Sequence, residues 1–205
     1  MNVASLPLVL ASGSPRRREL LAQLGLEVIV VAPDVDESVL PGEAAAAHAQ
    51  RVAGLKAGAV ASRFPAMPTL AADTIVVIDE RILGKPRDRG DAERMLASLF
   101  GRIHSVVTGV AVAMDGRLAG HVEQADVTFV PNGDDLLRWY LDSGEWEGKA
   151  GAYAAQGKGA LLIEAVRGNF QAVVGLPLAP LPSLFARVGL ALHAGDGRLS
   201  LVRST

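Results

Sequence analysis

Leu10-Ala-Ser-Gly-Ser-Pro-Arg-Arg-Arg-Glu-Leu-Leu21 decides how this chain starts to fold. The apolar run from Leu6 to Ala11 reads as a short buried strand that ends in the small residues Ser12, Gly13 and Ser14. Ser14 suits an N-cap, and Pro15 suits the first helical position, where a missing N–H costs nothing. Leu20, Leu21 and Leu24 then supply a helical apolar stripe, and Gly25 stops it. A strand thus hands over to a helix N-terminus with free N–H groups, two hydroxyls and three arginines, a place to hold an anion such as phosphate. Arg16, Arg17 and Arg18 step round a helix by about 100° each, so they cannot all face one ligand.

Working outward, Glu27 to Ala32 is β-branched and predicts a second strand, followed by the acidic loop Pro33 to Ser38 and by Pro41-Gly42. Glu43 to Arg63 predicts an Ala-rich helix with Val52, Leu55, Ala59 and Val60 on its buried face. Thr69 to Ile78 predicts a buried strand, and Asp79-Glu80-Arg81 a turn. Asp88 or Asp91 starts a helix that runs through Leu99 to Gly101. Val106 to Met114 and Leu118 to Val130 read as strands joined at the hairpin signal Asp115-Gly116. Asn132 is the expected cap of a helix carrying Leu136, Leu137, Tyr140 and Leu141. The Gly-rich stretch Gly148 to Gly159 suits close backbone approach, Ala160 to Val166 a strand, and Val173 to Leu178 leads into a last helix ending near Val188. Strands alternating with helices, then a hairpin, predict an α/β protein with a mixed sheet. With no repeat, low-complexity segment or linker, residues 1–192 read as a single domain and 193–205 as a flexible C-terminal tail.

Composition narrows the function. The formal charge of −2 gives no bulk attraction to nucleic acid or to an anionic membrane, so phosphate binding has to be local. Without cysteine there is no disulfide, thiol catalysis or cysteine-ligated metal. The first apolar run is too short for a signal peptide or a membrane span, which leaves the cytoplasm as the expected compartment. Neither GxSxG nor GxxxxGK[ST] occurs, which argues against an α/β-hydrolase or a P-loop nucleotidase.

Asp73 is the sharpest single signal, because a carboxylate inside a strand of Leu, Ala, Ile and Val must be hydrogen-bonded, ligate a metal or face a cleft. Its neighbour Thr74 should point to the opposite face of a regular strand. Asp34, Asp36 and Glu37 form an acidic loop, and one of them with Asp73 would suffice for a divalent ion that keeps its waters and binds phosphate. Only four of the basic residues are Lys, and Lys85 sits between Gly84 and Pro86, a setting that fixes a charged side chain. Lys56 lies in a helix, and Lys158 between two glycines. His48, His104, His121 and His193 show no metal-ligand spacing and read as structural or surface groups. Basic groups with separated carboxylates suit metal-assisted attack of water on a phosphoryl group.

Together Ser12-Gly-Ser-Pro-Arg-Arg17, Asp36-Glu37, Lys56, Ala72-Asp-Thr-Ile75, Gly84-Lys-Pro86, Lys149-Ala-Gly-Ala-Tyr153, Gln156-Gly157 and Val174-Gly-Leu-Pro177 resemble the Maf family of nucleoside triphosphate pyrophosphatases, from Leu8 to about Leu178. The resemblance implies a twisted mixed sheet with flanking helices and two lobes around a cleft, and hydrolysis of a nucleoside triphosphate to monophosphate and pyrophosphate with Mg²⁺ or Mn²⁺. By that resemblance Asp73 is the catalytic proton acceptor. Ser12, Arg17, Lys56 and Lys85 are its phosphate-binding groups, and Glu37 with Asp73 its metal side. A homodimer is the assembly it implies, with neither nucleic acid nor membrane as a partner.

Three positions divide the family by substrate. Arg16, Thr74 and Gln156 are of the type found in the branch acting on dTTP and UTP, whereas the 7-methyl-GTP branch resembles Ser-Pro-Trp-Arg, with Asp-Gln in the second motif and Glu before the late Gly. A Trp could stack on a cationic methylated purine, and a Gln amide can read the carbonyl and N–H groups of a pyrimidine. The expected activity is therefore on dTTP, UTP and modified pyrimidine forms, in a nucleotide house-cleaning role. The alternatives are a 7-methyl-GTP or inosine-triphosphate-type pyrophosphatase, or a nucleotide-binding regulator of septum formation and cell division.

Overall fold

The structure, a computed structural model, describes residues 5–131, 133–195 and 197–204. Its main sheet has seven strands: β1 (Leu8–Ala11), β2 (Val28–Val30), β3 (Thr69–Ile78), β4 (Arg81–Leu83), β5 (Ile103–Met114), β6 (Arg117–Phe129) and β7 (Ile163–Arg167). They lie in the order β2-β1-β3-β5-β6-β7, with β4 paired to β3. β1 runs parallel to both β2 and β3, while β4 is antiparallel to β3 and β7 to β6, so the sheet is mixed as predicted. β3 and β4 turn at Asp79-Glu80, and β5 and β6 at Asp115-Gly116; all four turn residues have positive φ, the backbone a two-residue hairpin needs.

By its contacts the chain forms two compact units. The first takes the described residues up to Asp73, then Thr108–Val122, then those from Gly175 onward. Its helices are α1 (Pro15–Gln23), α2 (Ala45–Ala61) and α6 (Leu181–Arg187). Val9, Ala11 and Ala71 of the sheet pack against Ala53, Ala57 and Val60 of α2, with Ala111 and Ala113 of β5. Small residues set that spacing. A Cβ on Gly109 would lie 2.2 Å from the Ala49 carbonyl oxygen, so α2 rests on β5 backbone to backbone. The buried face of α2 consequently consists of His48, Ala49, Val52, Ala53, Lys56, Ala57 and Val60, while Leu55 is 45% exposed and Ala59 exposed, contrary to expectation. Close packing selected the alanines over the leucine.

The second unit takes Thr74–Val107 and Glu123–Val174. Here α3 (Arg89–Leu99) and α4 (Asp134–Asp142) cover a core of Val76, Val106, Val127, Phe129, Leu96 and Tyr140. Asp88, rather than Asp91, caps α3: its Oδ1 accepts the Asp91 N–H at 2.7 Å. Asn132, the expected cap of α4, lies outside the described residues. Residues 157–162 form a 3₁₀ turn, which delays β7 to Ile163. The last helix expected to follow Leu178 and end near Val188 is α6, and a short helix that was not expected, α5 (Phe170–Val174), precedes it; between the two, Gly175 has φ 119° and Pro177 lacks an N–H. Beyond α6, β8 (Leu190–Gly195) and β9 (Arg198–Arg203) make an antiparallel pair in the first unit, and the Leu6 N–H donates to the Leu201 carbonyl at 2.7 Å. The stretch from His193 that reads as a tail is thus part of a hairpin, with Leu190 and Leu201 buried. Among the described residues no helix is long and apolar enough to cross a membrane.

Candidate active site

The strand-to-helix turn forms as the sequence predicts, with one reassignment. Ser14 has extended backbone and Pro15 opens α1, but the Ser14 hydroxyl makes no capping bond. The buried Ser12 organises the turn instead: its Oγ accepts from the Ser14 N–H at 3.2 Å and from Arg17 Nη1 at 3.0 Å. Those two donors leave the Ser12 O–H hydrogen to be donated elsewhere. Arg17 Nε donates to the Gly175 carbonyl at 2.8 Å, which joins the first motif to Val174-Gly-Leu-Pro177. Burial, opposed by the charges of Asp73 and Glu37, pulls the Arg17 guanidinium down to about 10, so it stays cationic at neutral pH. Arg16 is half-buried on the same helix, whereas Arg18 is exposed.

Lys56 and Asp73 meet in the interior of the first unit. Lys56 lies on the buried face of α2 and Asp73 on β3, 5% and 6% exposed, and Lys56 Nζ donates to Asp73 Oδ1 at 2.8 Å. Glu37 Oε1 reaches the same ammonium at 2.9 Å from a side chain that is 40% exposed. Two carboxylates therefore converge on one cationic atom, and the acidic loop resolves into separate jobs. Asp36 builds its turn by accepting the Ser38 N–H at 2.9 Å, Glu37 faces Lys56, and Asp34 is exposed.

Behind this pair lies a second network that sequence reading missed. Arg51 donates to both oxygens of Glu43, at 2.6 and 2.8 Å, and to the Ser38 carbonyl at 2.8 Å. The guanidinium pulls the Glu43 carboxyl down to about 2, so Glu43 is ionised. His48 Nδ1 is 3.1 Å from Glu43 Oε2, and its Nε2 is 4.0 Å from Asp73 Oδ2. His48, read as structural or surface, is thus buried beside Asp73. The available signal was its spacing: His48, Val52 and Lys56 recur every four residues and form one helical stripe.

Thr74, Lys85 and Gln156 belong to the second unit. Thr74 is half-buried on β3, while Lys85 and Gln156 are exposed. The Gly84 carbonyl accepts the Gly151 N–H at 3.0 Å, and a Cβ on Gly151 would approach Val76 to 2.8 Å, so Gly84-Lys-Pro86 and Lys149-Ala-Gly-Ala-Tyr153 are packed together. Lys149 Nζ donates to the Glu147 carbonyl at 2.9 Å. As for a metal, no group of three or more His, Cys, Asp or Glu arranged for one occurs among the described residues. The donor set is the pair Glu37 and Asp73, already converging on a cation, which fits an ion that also takes oxygens from a bound phosphate and does not fit an all-protein cage.

The family model described as Maf-like protein matches residues 7–188. The dTTP/UTP pyrophosphatase of Myxococcus xanthus is 50% identical over 196 residues, covering 94% of this chain and 97% of that protein. The dTTP/UTP pyrophosphatase of Symbiobacterium thermophilum is 44% identical over 189 residues, covering 92% and 97%. Among solved structures, the Staphylococcus aureus Ham1 protein aligns with a TM-score of 0.44 at 15% identity, over 60% of this chain and 71% of that one. With the family model spanning most of its length and relatives of this identity along nearly all of it, the chain belongs to the Maf-like protein family.

Proposed function

We propose that this protein hydrolyses dTTP and UTP, and modified pyrimidine forms of them, to the nucleoside monophosphate and pyrophosphate. Its relatives at 44% to 50% identity carry that name along almost their whole length, which supports the reaction. Arg16, Thr74 and Gln156, each of the pyrimidine type, support the base preference. The observation that carries the chemistry is the buried ammonium of Lys56 shared by Asp73 and Glu37.

In this reading Ser12, Arg17, Lys56 and Lys85 bind the polyphosphate. Ser12 offers a hydroxyl hydrogen whose direction its two accepted bonds restrict, and Arg17, fixed at Ser12 and Gly175, brings a positioned cationic guanidinium to the phosphate. Lys56 can turn to a phosphate oxygen only if Glu37 and Asp73 gain another cation, since a buried carboxylate left unpaired is costly. Glu37 and Asp73 would hold Mg²⁺ or Mn²⁺, which when bound supplies charge neutralisation at the phosphoryl oxygens. Asp73 accepts the proton of the attacking water. The water oxygen bonds to the α-phosphorus, the α–β bridging bond breaks, and pyrophosphate leaves. A cytoplasmic homodimer, with the chain including its β8–β9 hairpin as one functional domain, completes the proposal.

Pyrophosphate release from dTTP, UTP, ITP and 7-methyl-GTP in one assay tests it. Turnover of dTTP and UTP well above the other two is expected, with loss of activity in EDTA and recovery on adding Mg²⁺ or Mn²⁺. Asp73→Asn should cut kcat by about 10³-fold or more while nucleotide binding survives. Preference for 7-methyl-GTP, or binding of triphosphates with no hydrolysis in the presence of metal, would overturn it.

A further inference from the structure

Gln156 stands exposed between two 3₁₀ turns, Ala150–Ala152 and Gly157–Leu162, and the backbone on both sides of it is anchored. On the N-terminal side, the Tyr153 hydroxyl is 2.8 Å from His104 Nε2, and its ring meets those of Phe129 and His104 edge-on, with centroids 4.8 and 5.5 Å away. The Ala154 N–H donates to the Tyr140 hydroxyl at 3.1 Å. On the C-terminal side a single carboxylate does the work. Glu145 Oε1 accepts the Lys158 N–H at 3.1 Å, and Oε2 accepts the Gly159 N–H at 2.8 Å.

The glycines here are required by that carboxylate and by the chain itself. Gly157 has φ 80°, and a Cβ on it would lie 2.3 Å from Glu145 Oε1; a Cβ on Gly159 would lie 2.1 Å from the Ala154 carbonyl oxygen. Glycines let the backbone approach so closely, but they also give an unanchored loop many conformations to lose. Two charge-assisted bonds from one side chain to successive amides remove that freedom before substrate arrives. Glu145 is itself held: its N–H donates to Ser143 Oγ at 3.2 Å, Ser143 Oγ donates to the Tyr140 carbonyl at 2.6 Å, and Trp146 Nε1 to the Leu141 carbonyl at 2.9 Å. The Lys158 and Gly159 amides, engaged by Glu145, are therefore not a cradle for a phosphate. What the loop presents outward beside them is the side chains of Gln156 and Lys158, and of the two only Gln156 offers both a donor and an acceptor.

We infer that Glu145 is a positioning residue for base selection: by pinning the Lys158 and Gly159 amides it presents the Gln156 side chain, preorganised, to the carbonyl and N–H edge of uracil or thymine. This rests on the selecting role given to Gln156 above. A Gln amide offers a donor and an acceptor, and cytosine shows the reverse pattern to uracil at the same two atoms. A fixed backbone narrows the positions this amide can take, so its two bonds to uracil or thymine form without the cost of ordering the loop.

The test is steady-state kinetics on UTP, dTTP and CTP for wild type, Glu145→Ala, Glu145→Gln, Gln156→Ala and the double variant Glu145→Ala/Gln156→Ala, with hydrogen exchange of residues 154–160 followed in parallel. For Glu145→Ala the expectation is a KM for UTP and dTTP raised about tenfold with kcat kept within about threefold, and a preference for UTP over CTP that falls to the Gln156→Ala level. Glu145→Gln retains one accepting oxygen and should lie between wild type and Glu145→Ala, which keeps the proposal testable if the alanine variant folds poorly. The Lys158 and Gly159 amides should exchange faster in both, and the double variant should be no worse than Gln156→Ala. If Gln156→Ala changes the preference but neither Glu145 variant does, or if the two losses multiply in the double variant, the role of Glu145 is overturned while that of Gln156 stands. If Gln156→Ala leaves the preference unchanged, the reading of Gln156 fails and takes this one with it.

Discussion

Lys56 shows how one residue's meaning depends on what surrounds it. Its ammonium is buried between Asp73 and Glu37, so truncation leaves the Asp73 carboxyl group in the interior without its partner. Lys56→Ala should lower stability by about 3 kcal/mol, read from urea unfolding, and should lose turnover at any metal concentration. His104 makes a prediction with a definite sign. Burial pushes its imidazole down to about 4, against a weaker opposing pull from Asp126, and its ring sits in an aromatic setting with Phe129 and Tyr153. The unfolded chain therefore binds a proton that the folded one refuses between about pH 6.5 and 4, so stability falls as pH drops through that window and the loss is complete below it. The loss attributable to this group is at most about 3 kcal/mol. Unfolding midpoints measured from pH 7 to 4 should fall less steeply in His104→Asn than in wild type, because the variant has no proton to gain there.

At the level of elements, the contact between α2 and β5 positions the proposed chemistry. Lys56 and His48 face inward because Ala49, Ala53 and Ala57 allow the helix down onto the sheet and Gly109 offers no side chain to stop it. Gly109→Ala should cost about 3 kcal/mol or more, since the obstacle is backbone and the helix itself must move. It should also reduce kcat/KM as Lys56 is displaced. Gly120→Ala is the control: its new Cβ would meet the Gln50 side chain at 2.2 Å, a flexible group that can swing away, and a change below about 1 kcal/mol is expected. Thermal unfolding of the two variants side by side checks the contrast.

On the scale of the whole molecule, each unit has a core of its own, and the family match stops at residue 188, just short of the β8–β9 hairpin. That hairpin is not loosely attached to the first unit. Leu201 is 1% exposed, the Leu199 N–H donates to the Leu24 carbonyl at 3.0 Å, and Arg203 pairs with Asp115 at the β5–β6 turn. Leu201→Asp would bury an unpaired carboxylate and should destabilise the protein by about 3 kcal/mol, lowering Tm by several degrees, while kcat of the folded protein at 25 °C stays within about twofold of wild type.

Short-range chemistry was enough to read much of this protein. Pro15 opening a helix, Asp88 capping one and Asp115-Gly116 turning a hairpin each depend on a few neighbouring backbone groups, so their residue types announce them. The mixed α/β sheet followed from the order of these elements, and Asp73 stood out because a carboxylate in an apolar strand demands a partner. Which partner it has was settled only in three dimensions. Lys56, 17 residues away, and Glu37 reach it because α2 crosses β3 on its alanine face, a face that hydrophobicity alone misassigned by favouring Leu55. His48, Glu43 and Arg51 look like ordinary helical polar residues until burial makes their pairing compulsory. The reach of Glu145 to the Gly157 loop, and of Leu201 to Leu6, likewise joins segments that no local pattern connects. Local preference is written in neighbouring residues, whereas the pairing of buried charges depends on which distant surfaces the folded chain removes from water together.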